Sequence, residues 1–216
     1  DIFSGLETGA NDYIKKPFEH EELYARIRVG ERSVELQTRL YETQQSMAHL
    51  ATHDPLTGIL NRRAIMEQLS KELSRIRRSA SDGEGKRLSI GFFDIDQFKH
   101  INDQYGHQAG DEVLCGIAEI LGRQLRVYDS FSRLGGDEFL VMTPESDEDH
   151  ALNLFERFIS TIAASPIKTH AGEVSVTMSM GVATATADSS EDQLLNSADE
   201  AMYRAKREGG NRVVFS

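Results

Sequence analysis

The residues best able to do chemistry are carboxylates placed where a fold can least easily hide them. Residues 88–93, Leu-Ser-Ile-Gly-Phe-Phe, form a run with strand character, apolar on both faces, that leads straight into Asp94-Ile95-Asp96. A charge at the end of a buried strand is costly unless it is paired or bound to a metal ion. Strand ends are also where sites of α/β proteins commonly lie. A lone aspartate there is more often a helix cap; two of them beside a further carboxylate pair bring metal binding level with capping as the alternative. A second pair, Asp137 and Glu138, follows Gly135-Gly136 and precedes Phe139. The glycines supply the positive φ of a tight turn and leave its surface bare, so that a bulky anion can lie against the backbone. On a strand, Asp137 and Glu138 point to opposite sides. A Gly-Gly-Asp run taken alone also reads as an ordinary polar turn.

The elements that must position these groups follow from periodicity. Residues 130–134 and 138–142 are short apolar-rich strands, which makes the glycine pair the turn of a hairpin. Residues 65–76 read as an amphipathic helix and 79–86 as a polar loop. A helix is expected over 112–125 with Asp111 as its N-cap. Arg126 and Asp129 then form an i, i+3 pair worth a few tenths of a kcal/mol. Arg157 lies on a helix over 147–164, off the stripe of Leu152, Phe155, Ile159 and Ile162. Residues 173–184 alternate as a strand, and with 167–169 they make a second hairpin around Ala171-Gly172. Ser190 opens a helix over 191–207, near whose C-terminus Lys206 is electrostatically favoured. This order predicts an α+β fold, a mainly antiparallel central sheet flanked by helices.

The chain has 216 residues, enough for one substantial domain and part of another. It shows neither a membrane-length apolar run nor a signal-peptide pattern. Its single cysteine, Cys115, lies in an apolar helical run and is expected in the core, which suits a reducing cytoplasm. A net charge of −11 argues against a protein that coats nucleic acid. A long N-terminal helix is expected over 19–51. Val29, Ser33, Leu36, Leu40, Thr43, Met47 and Leu50 fall at heptad-like steps along it, a seam interrupted by Ser33 and Thr43. Its polar flanks leave a narrow stripe and favour a parallel dimeric coiled coil over one amphipathic helix packed on its own domain.

Several spaced motifs together resemble the GGDEF domain family, the diguanylate cyclases, over about residues 54–216. They are Asp54-Pro55-Leu56-Thr57-Gly58-Ile59-Leu60-Asn61-Arg62-Arg63, the run from Phe98 to Asp111, Arg126 with Asp129, Gly135 to Phe139, Ser179 to Val182, and Ala198 to Lys206. The resemblance implies a fold like the palm of polymerases and nucleotidyl cyclases. It implies condensation of two GTP into cyclic di-GMP with release of two pyrophosphates. Each domain would hold one GTP, so catalysis needs a homodimer. An acidic protein handling nucleotides needs cations, and two Mg2+ ions (Mn2+ is possible) are implied at Asp94, the Ile95 carbonyl and Asp137, with Glu138 a further metal or proton-handling group. Asn102 and Asp111 are implied to read guanine, whose paired N–H donors suit a carboxylate and are lacking in adenine. Lys99, Lys206 and the Gly135-Gly136 turn hold phosphates. Arg126 and Asp129, with Arg157, match the family's inhibitory product site, where an arginine grips the guanine edge. Asn61 and Arg62 are expected to cap and brace the domain entrance. Gly210 stands where many members carry arginine, which puts the strength of triphosphate binding in question. A non-catalytic sensor of cyclic di-GMP or GTP is the alternative. Residues 9–18, Gly-Ala-Asn-Asp-Tyr-Ile-Lys-Lys-Pro-Phe, are similar to the last strand and loop of a response-regulator receiver domain. That likeness implies an upstream histidine kinase acting on the missing receiver part. The organisation expected is therefore a receiver remnant over 1–30, a linker helix over 19–53 and the catalytic domain over 54–216.

Overall fold

A computed structural model describes residues 12–14, 16–81, 87–145 and 148–216. Of the loop expected over 79–86, residues 79–81 belong to a helix and 82–86 lie outside the described residues, as do residues 9–11 and 15 of the receiver-like stretch. Two compact units divide at His49/Leu50. In chain order the elements are α1 (His20–Thr52), β1 (Leu60–Asn61), α2 (Arg62–Ser81), β2 (Leu88–Ile95), α3 (Phe98–Tyr105), α4 (His107–Gly122), β3 (Ser130–Gly135), β4 (Glu138–Pro144), α5 (Glu148–Ala164), β5 (Ile167–Thr169), β6 (Gly172–Val174), β7 (Met178–Ala185), α6 (Glu191–Arg207) and β8 (Val213–Phe215).

In the first unit the Lys16-Pro17 peptide is cis. Arg26 ties the start of α1 to Asp12 at 2.8 Å and to Glu22 at 2.9 Å. None of the side chains of α1 is buried, and the expected seam residues Val29, Leu36, Leu40, Met47 and Leu50 are all exposed.

The second unit is built on a six-stranded sheet in the order β1-β3-β4-β2-β7-β8. Its inner pairings, β3–β4, β4–β2 and β2–β7, are antiparallel, and the two outer ones are parallel. The expected mixed α+β architecture is therefore found, with helices on both faces. On one face Phe93, Phe131 and Phe139 stack, with Phe93 and Phe139 centroids 5.1 Å apart, under Val113, Leu114 and Ile117 of α4 and Phe155 and Phe158 of α5. On the other, Ile65, Leu69 and Leu73 of α2 and Leu194, Ala198 and Met202 of α6 cover Ile90, Phe92, Leu140 and Met142. β2 is the central strand. Its alternation sends Phe93 to the first face and Phe92 and Asp94 to the second, as the period of a strand requires.

Local chemistry sets the element ends. Asn61 caps α2, its Oδ1 accepting from Ala64 N at 2.9 Å, while its Nδ2 donates to Ala51 O at 3.1 Å. This is the capping and bracing role expected of it. Ser190 and Gln193 form a capping box at the start of α6. α6 ends in a Schellman turn, with Gly210 N donating to Ala205 O at 3.0 Å and Gly209 N to Lys206 O at 3.2 Å.

Three sequence expectations need correction. α4 begins at His107 and ends at Gly122 instead of spanning 112–125, so Asp111 sits inside the helix and is not its N-cap. Gly106, at φ 86°, provides the break between α3 and α4. The strand expected over 173–184 is two strands, because β6 pairs with β5 in a small separate sheet while β7 pairs with β2. The chain changes sheets at 175–177. The buried stripe of α5 includes Ala151, Leu154 and Phe158, and Leu152 is only half-buried.

Candidate active site

β2 carries Asp94 to its penultimate position, directly opposite Glu138 of β4 and Ser179 of β7. The Asp94 side chain is 13% exposed, and its Oδ2 accepts from Lys206 Nζ at 2.8 Å. Its Oδ1 is the one buried side-chain oxygen or nitrogen among the described residues without a hydrogen-bond partner. Burial raises the Asp94 carboxyl to about 6, against the pull of the Lys206 ammonium; the adjoining Asp137 carboxyl, at hydrogen-bonding range, pushes the same way as burial. The two aspartates are therefore neighbours in space although 43 residues separate them (137 − 94).

The hairpin turn that brings Asp137 there is held from behind. Gly135 and Gly136 adopt φ 149° and 56°, and a Cβ on either would meet nothing within 4 Å. Their outer surface is thus open. Arg133 Nε donates to Gly136 O at 2.9 Å, and its Nη1 pairs with Asp54 at 3.2 Å. Asp54 also accepts from the backbone N and hydroxyl of Thr57. Despite burial, Thr57 and Arg133 hold the Asp54 carboxyl below its ordinary value. Arg133 is a site-bracing residue that the motifs do not reveal. The only signal for it in the sequence is its position one residue before the Leu134-Gly135 bend.

Asp96 has a different part from Asp94. Its carboxylate accepts from Thr177 Oγ1 at 2.7 Å, Ser179 Oγ at 2.7 Å and Asn211 N at 3.0 Å. It is a satisfied clasp between the strand end and the loop after α6. Gly210 lies against it with φ +72°, and a Cβ there would fall 2.9 Å from Asp96 Oδ2. This local geometry favours glycine where arginine is common in the resemblance.

The remaining expected residues form separate groups. Glu138 lines a cavity of about 290 Å³ with Arg62, Phe92, Leu134, Asp192 and Asp199. Asp111 lines a wider one of about 450 Å³ with Leu56, Gln108, Cys115, Ile167 and Lys168. Cys115 is thus a half-buried wall of that cavity and not a core residue; its thiol lies 3.2 Å from Leu56 O, and burial pushes its pKa up. Asn102 is half-buried, and its amide lies over Gly110, whose added Cβ would meet Asn102 Oδ1 at 1.9 Å. Lys99 is exposed in the first turn of α3, and the Ile95 side chain is buried in the core. Arg126, Asp129 and Arg157 do come together, lining a cavity of about 110 Å³ with Gln124 and His150. The expected Arg126–Asp129 side-chain pair is replaced by a tighter local arrangement. Asp129 Oδ2 accepts from Arg126 N at 2.8 Å, while the Arg126 guanidinium donates to Tyr128 Oη at 2.8 Å and lies 5.8 Å from the centre of its ring. Burial raises the Asp129 carboxyl. Arg157 is held by Gln124 through Oε1 at 3.0 Å and O at 3.3 Å.

Among the described residues no three acidic, imidazole or thiol side chains converge to hold a metal ion by themselves. The donor set at the strand end is two carboxylates.

A family model described as diguanylate cyclase, GGDEF domain, matches residues 51–212. The chain belongs to the GGDEF diguanylate cyclase family. The diguanylate cyclase DgcP of Pseudomonas aeruginosa is 35% identical over 215 residues, which are 97% of this chain and 31% of that protein. The response regulator PleD of Caulobacter vibrioides is 37% identical over 216 residues, 99% of this chain and 46% of PleD. The chain thus spans less than half the length of either relative. Among solved structures, the coiled coil and GGDEF domain of DgcB from Caulobacter crescentus, in complex with c-di-GMP, is similar with a TM-score of 0.73 at 30% identity. That match covers 90% of this chain and 99% of the DgcB chain. The long α1 and the curled, helix-flanked sheet are accordingly features of this GGDEF chain, and among its described residues no helix is long and apolar enough to cross a membrane.

Close approach at Gly110 gives a specific expectation for this GGDEF domain. Gly110→Ala displaces the Asn102 amide, a flexible side chain, so stability should change little. If the domain turns over GTP and Asn102 touches it, KM for GTP rises by about tenfold with kcat less affected. Unchanged KM would show that the amide plays no part in binding.

Proposed function

We propose that this GGDEF domain is a working diguanylate cyclase that joins two GTP into cyclic di-GMP and releases two pyrophosphates. The observation that carries the reading is Asp94. It is a half-buried carboxylate crowded by Asp137, with one oxygen fully buried and unpartnered and the other held by a lysine beside an open glycine turn. Such an arrangement is unfavourable for a resting fold and suits a site for a divalent cation and phosphate. Two carboxylates with the Ile95 carbonyl match the habit of Mg2+, which keeps one or two protein carboxylates and takes its other ligands from phosphates and water. Two Mg2+ ions, or Mn2+, would polarise the α-phosphate and stabilise charge on the departing pyrophosphate.

The protein's own groups do the rest. Asp94 and Asp137 supply the negative charge that holds the cations. Lys206 and Lys99 bind phosphate oxygens, and the bare backbone of Gly135-Gly136 lets the triphosphate approach. Asp111, in the wall of the largest of these cavities, accepts from the guanine edge together with Asn102. Glu138 stands across the ladder from Asp94 as a further metal or proton-handling group. One domain presents one nucleotide, so two domains must meet with their nucleotides antiparallel. The exposed apolar seam of α1 supports a homodimer formed through that helix. Arg126, Asp129 and Arg157 form a product site that slows the enzyme when cyclic di-GMP accumulates. The alignment with a response regulator across nearly the whole chain supports a receiver domain upstream, addressed by a histidine kinase in the cytoplasm.

One assay tests the reading. With GTP and Mg2+, cyclic di-GMP should form at a rate per chain that rises with protein concentration. Added cyclic di-GMP should inhibit the wild type, and Arg126→Ala should be inhibited at least about tenfold less well. Binding of cyclic di-GMP without turnover would establish the sensor alternative instead.

A further inference from the structure

We infer that Lys206 occupies the charge position of the metal in the nucleotide-free protein, so that the cation and the triphosphate can enter only as mutually reinforcing ligands. The inference rests on the metal-site reading above and concerns what Lys206 does before substrate arrives.

The geometry is specific. Lys206 Nζ lies 2.8 Å from Asp94 Oδ2, with only 35% of the lysine side chain and 13% of the aspartate exposed. The Schellman turn at Gly209 and Gly210 closes the end of α6, which stops one residue after Lys206, and fixes the direction from which the ammonium reaches β2. Asp96 pins the following loop through Asn211 N, which holds this end of α6 in place. The lysine is an exposed residue whose ammonium is nonetheless held at the site by the ion pair and the fixed helix end. Without nucleotide its single positive charge partly neutralises the carboxylates that a divalent ion would need. A cation arriving at Asp94 Oδ1 must either displace the ammonium or sit within a few ångströms of it, and both oppose binding. Phosphate oxygens change the balance. They offer Lys206 a new anionic partner, draw it from Asp94, and leave the carboxylate pair free. By reciprocity, whatever the triphosphate adds to metal affinity the metal adds to triphosphate affinity. The free protein would then be protected from idle metal loading, and would fill as a metal–nucleotide unit.

The test uses the nucleotide-free chain titrated with Mn2+ alone, with free ion followed by its electron paramagnetic resonance signal. Wild type should bind weakly. Lys206→Met should bind Mn2+ at least about tenfold more tightly, because a like charge has left the site, and should bind GTP less well. Lys206→Arg keeps the charge and should stay near wild type. Asp94→Asn should lose the site. Should Lys206→Met fail to fold, Lys206→Gln replaces it. Unchanged or weaker Mn2+ binding in the uncharged variants, with Asp94→Asn still losing the ion, would overturn the inference and leave the metal site standing. Equal tightening in Lys206→Arg would also overturn it. If Asp94→Asn binds Mn2+ like wild type, the ion is elsewhere and the proposed site falls with the inference.

Discussion

Asp94→Asn is expected to yield a domain that melts higher than wild type in the absence of metal and makes no measurable cyclic di-GMP. The two effects have one cause. In the folded protein the Asp94 carboxyl is raised from 3.8 to about 6, first by burial and then by Asp137, despite Lys206. A raised carboxyl binds its proton more tightly when folded than when unfolded, so the folded state holds more protons between about pH 4 and pH 6. Stability attributable to this group is present below the unfolded pKa and is lost as pH climbs through the folded value. Above about pH 6 the ionised Asp94 is a standing penalty, at most about 3 kcal/mol from the shift itself and about 1–2 kcal/mol once solvent screening is allowed for. Asparagine has the same shape and does not ionise. Its advantage should therefore grow between pH 4 and pH 6 and stay constant above, appearing as a gain of about 3–6 °C in melting temperature at pH 7.5. Turnover should fall by at least about a thousandfold, since the group that would hold the cation has lost its charge. A variant that melts lower than wild type at pH 7.5 without metal would mean that the Lys206 pairing outweighs burial and repulsion, and that ionised Asp94 stabilises the resting fold.

Gly181→Ala is expected to be the most damaging single methyl group in the domain. Gly181 lies in β7, facing α6, and an added Cβ would fall 2.0 Å from Ala198 O, 2.1 Å from Met202 N and 2.8 Å from Ala201 C. All three are backbone atoms of a helix, so no rotamer change relieves the overlap. The sheet and α6 must separate, which opens the Leu194, Ala198 and Met202 layer and withdraws Lys206 from Asp94. Overpacking costs about 1–3 kcal/mol where side chains can adjust, and here the loss should reach or exceed the top of that range. Set against a total stability of about 5–15 kcal/mol, this is enough to lower the urea midpoint sharply or to prevent folding. Gly122→Ala is the control. It lies at the end of α4 with nothing within 4 Å of an added Cβ, and should be neutral or gain up to about 1 kcal/mol. Equal midpoints for the two variants would show that β7 and α6 leave room between them for a methyl group.

Much of this site is readable from the chain because its signals are local. The buried run into Asp94, the glycine turn and the Ser190 cap each need only a few consecutive residues, and each lies where expected. What sequence does not separate is Asp94 from Asp96. Two residues apart at one strand end, they look alike, yet Asp96 meets Thr177, Ser179 and Asn211 while Asp94 meets Lys206 and Asp137. Those partners lie 43 to 115 residues away along the chain, and no local rule supplies them. The start of α4 is hidden for a related reason. Gly110 looks like the residue before a helix, but it is an internal position kept small because Asn102 of α3 lies on it. The apolar alternation over 173–184 conceals a change of sheet, since both halves keep the period of a strand while pairing with different neighbours.

β2 serves two masters with alternate residues: Phe93 belongs to the aromatic stack, and Asp94 to the carboxylate pair. Deleting or inserting one residue anywhere between Leu88 and Phe93 would swap them, sending a ring to the carboxylate edge and a charge into the apolar core. Such a strand can drift by substitution but not by change of length. Any engineering of this domain should therefore treat those positions as a ruler and make its insertions in the loops.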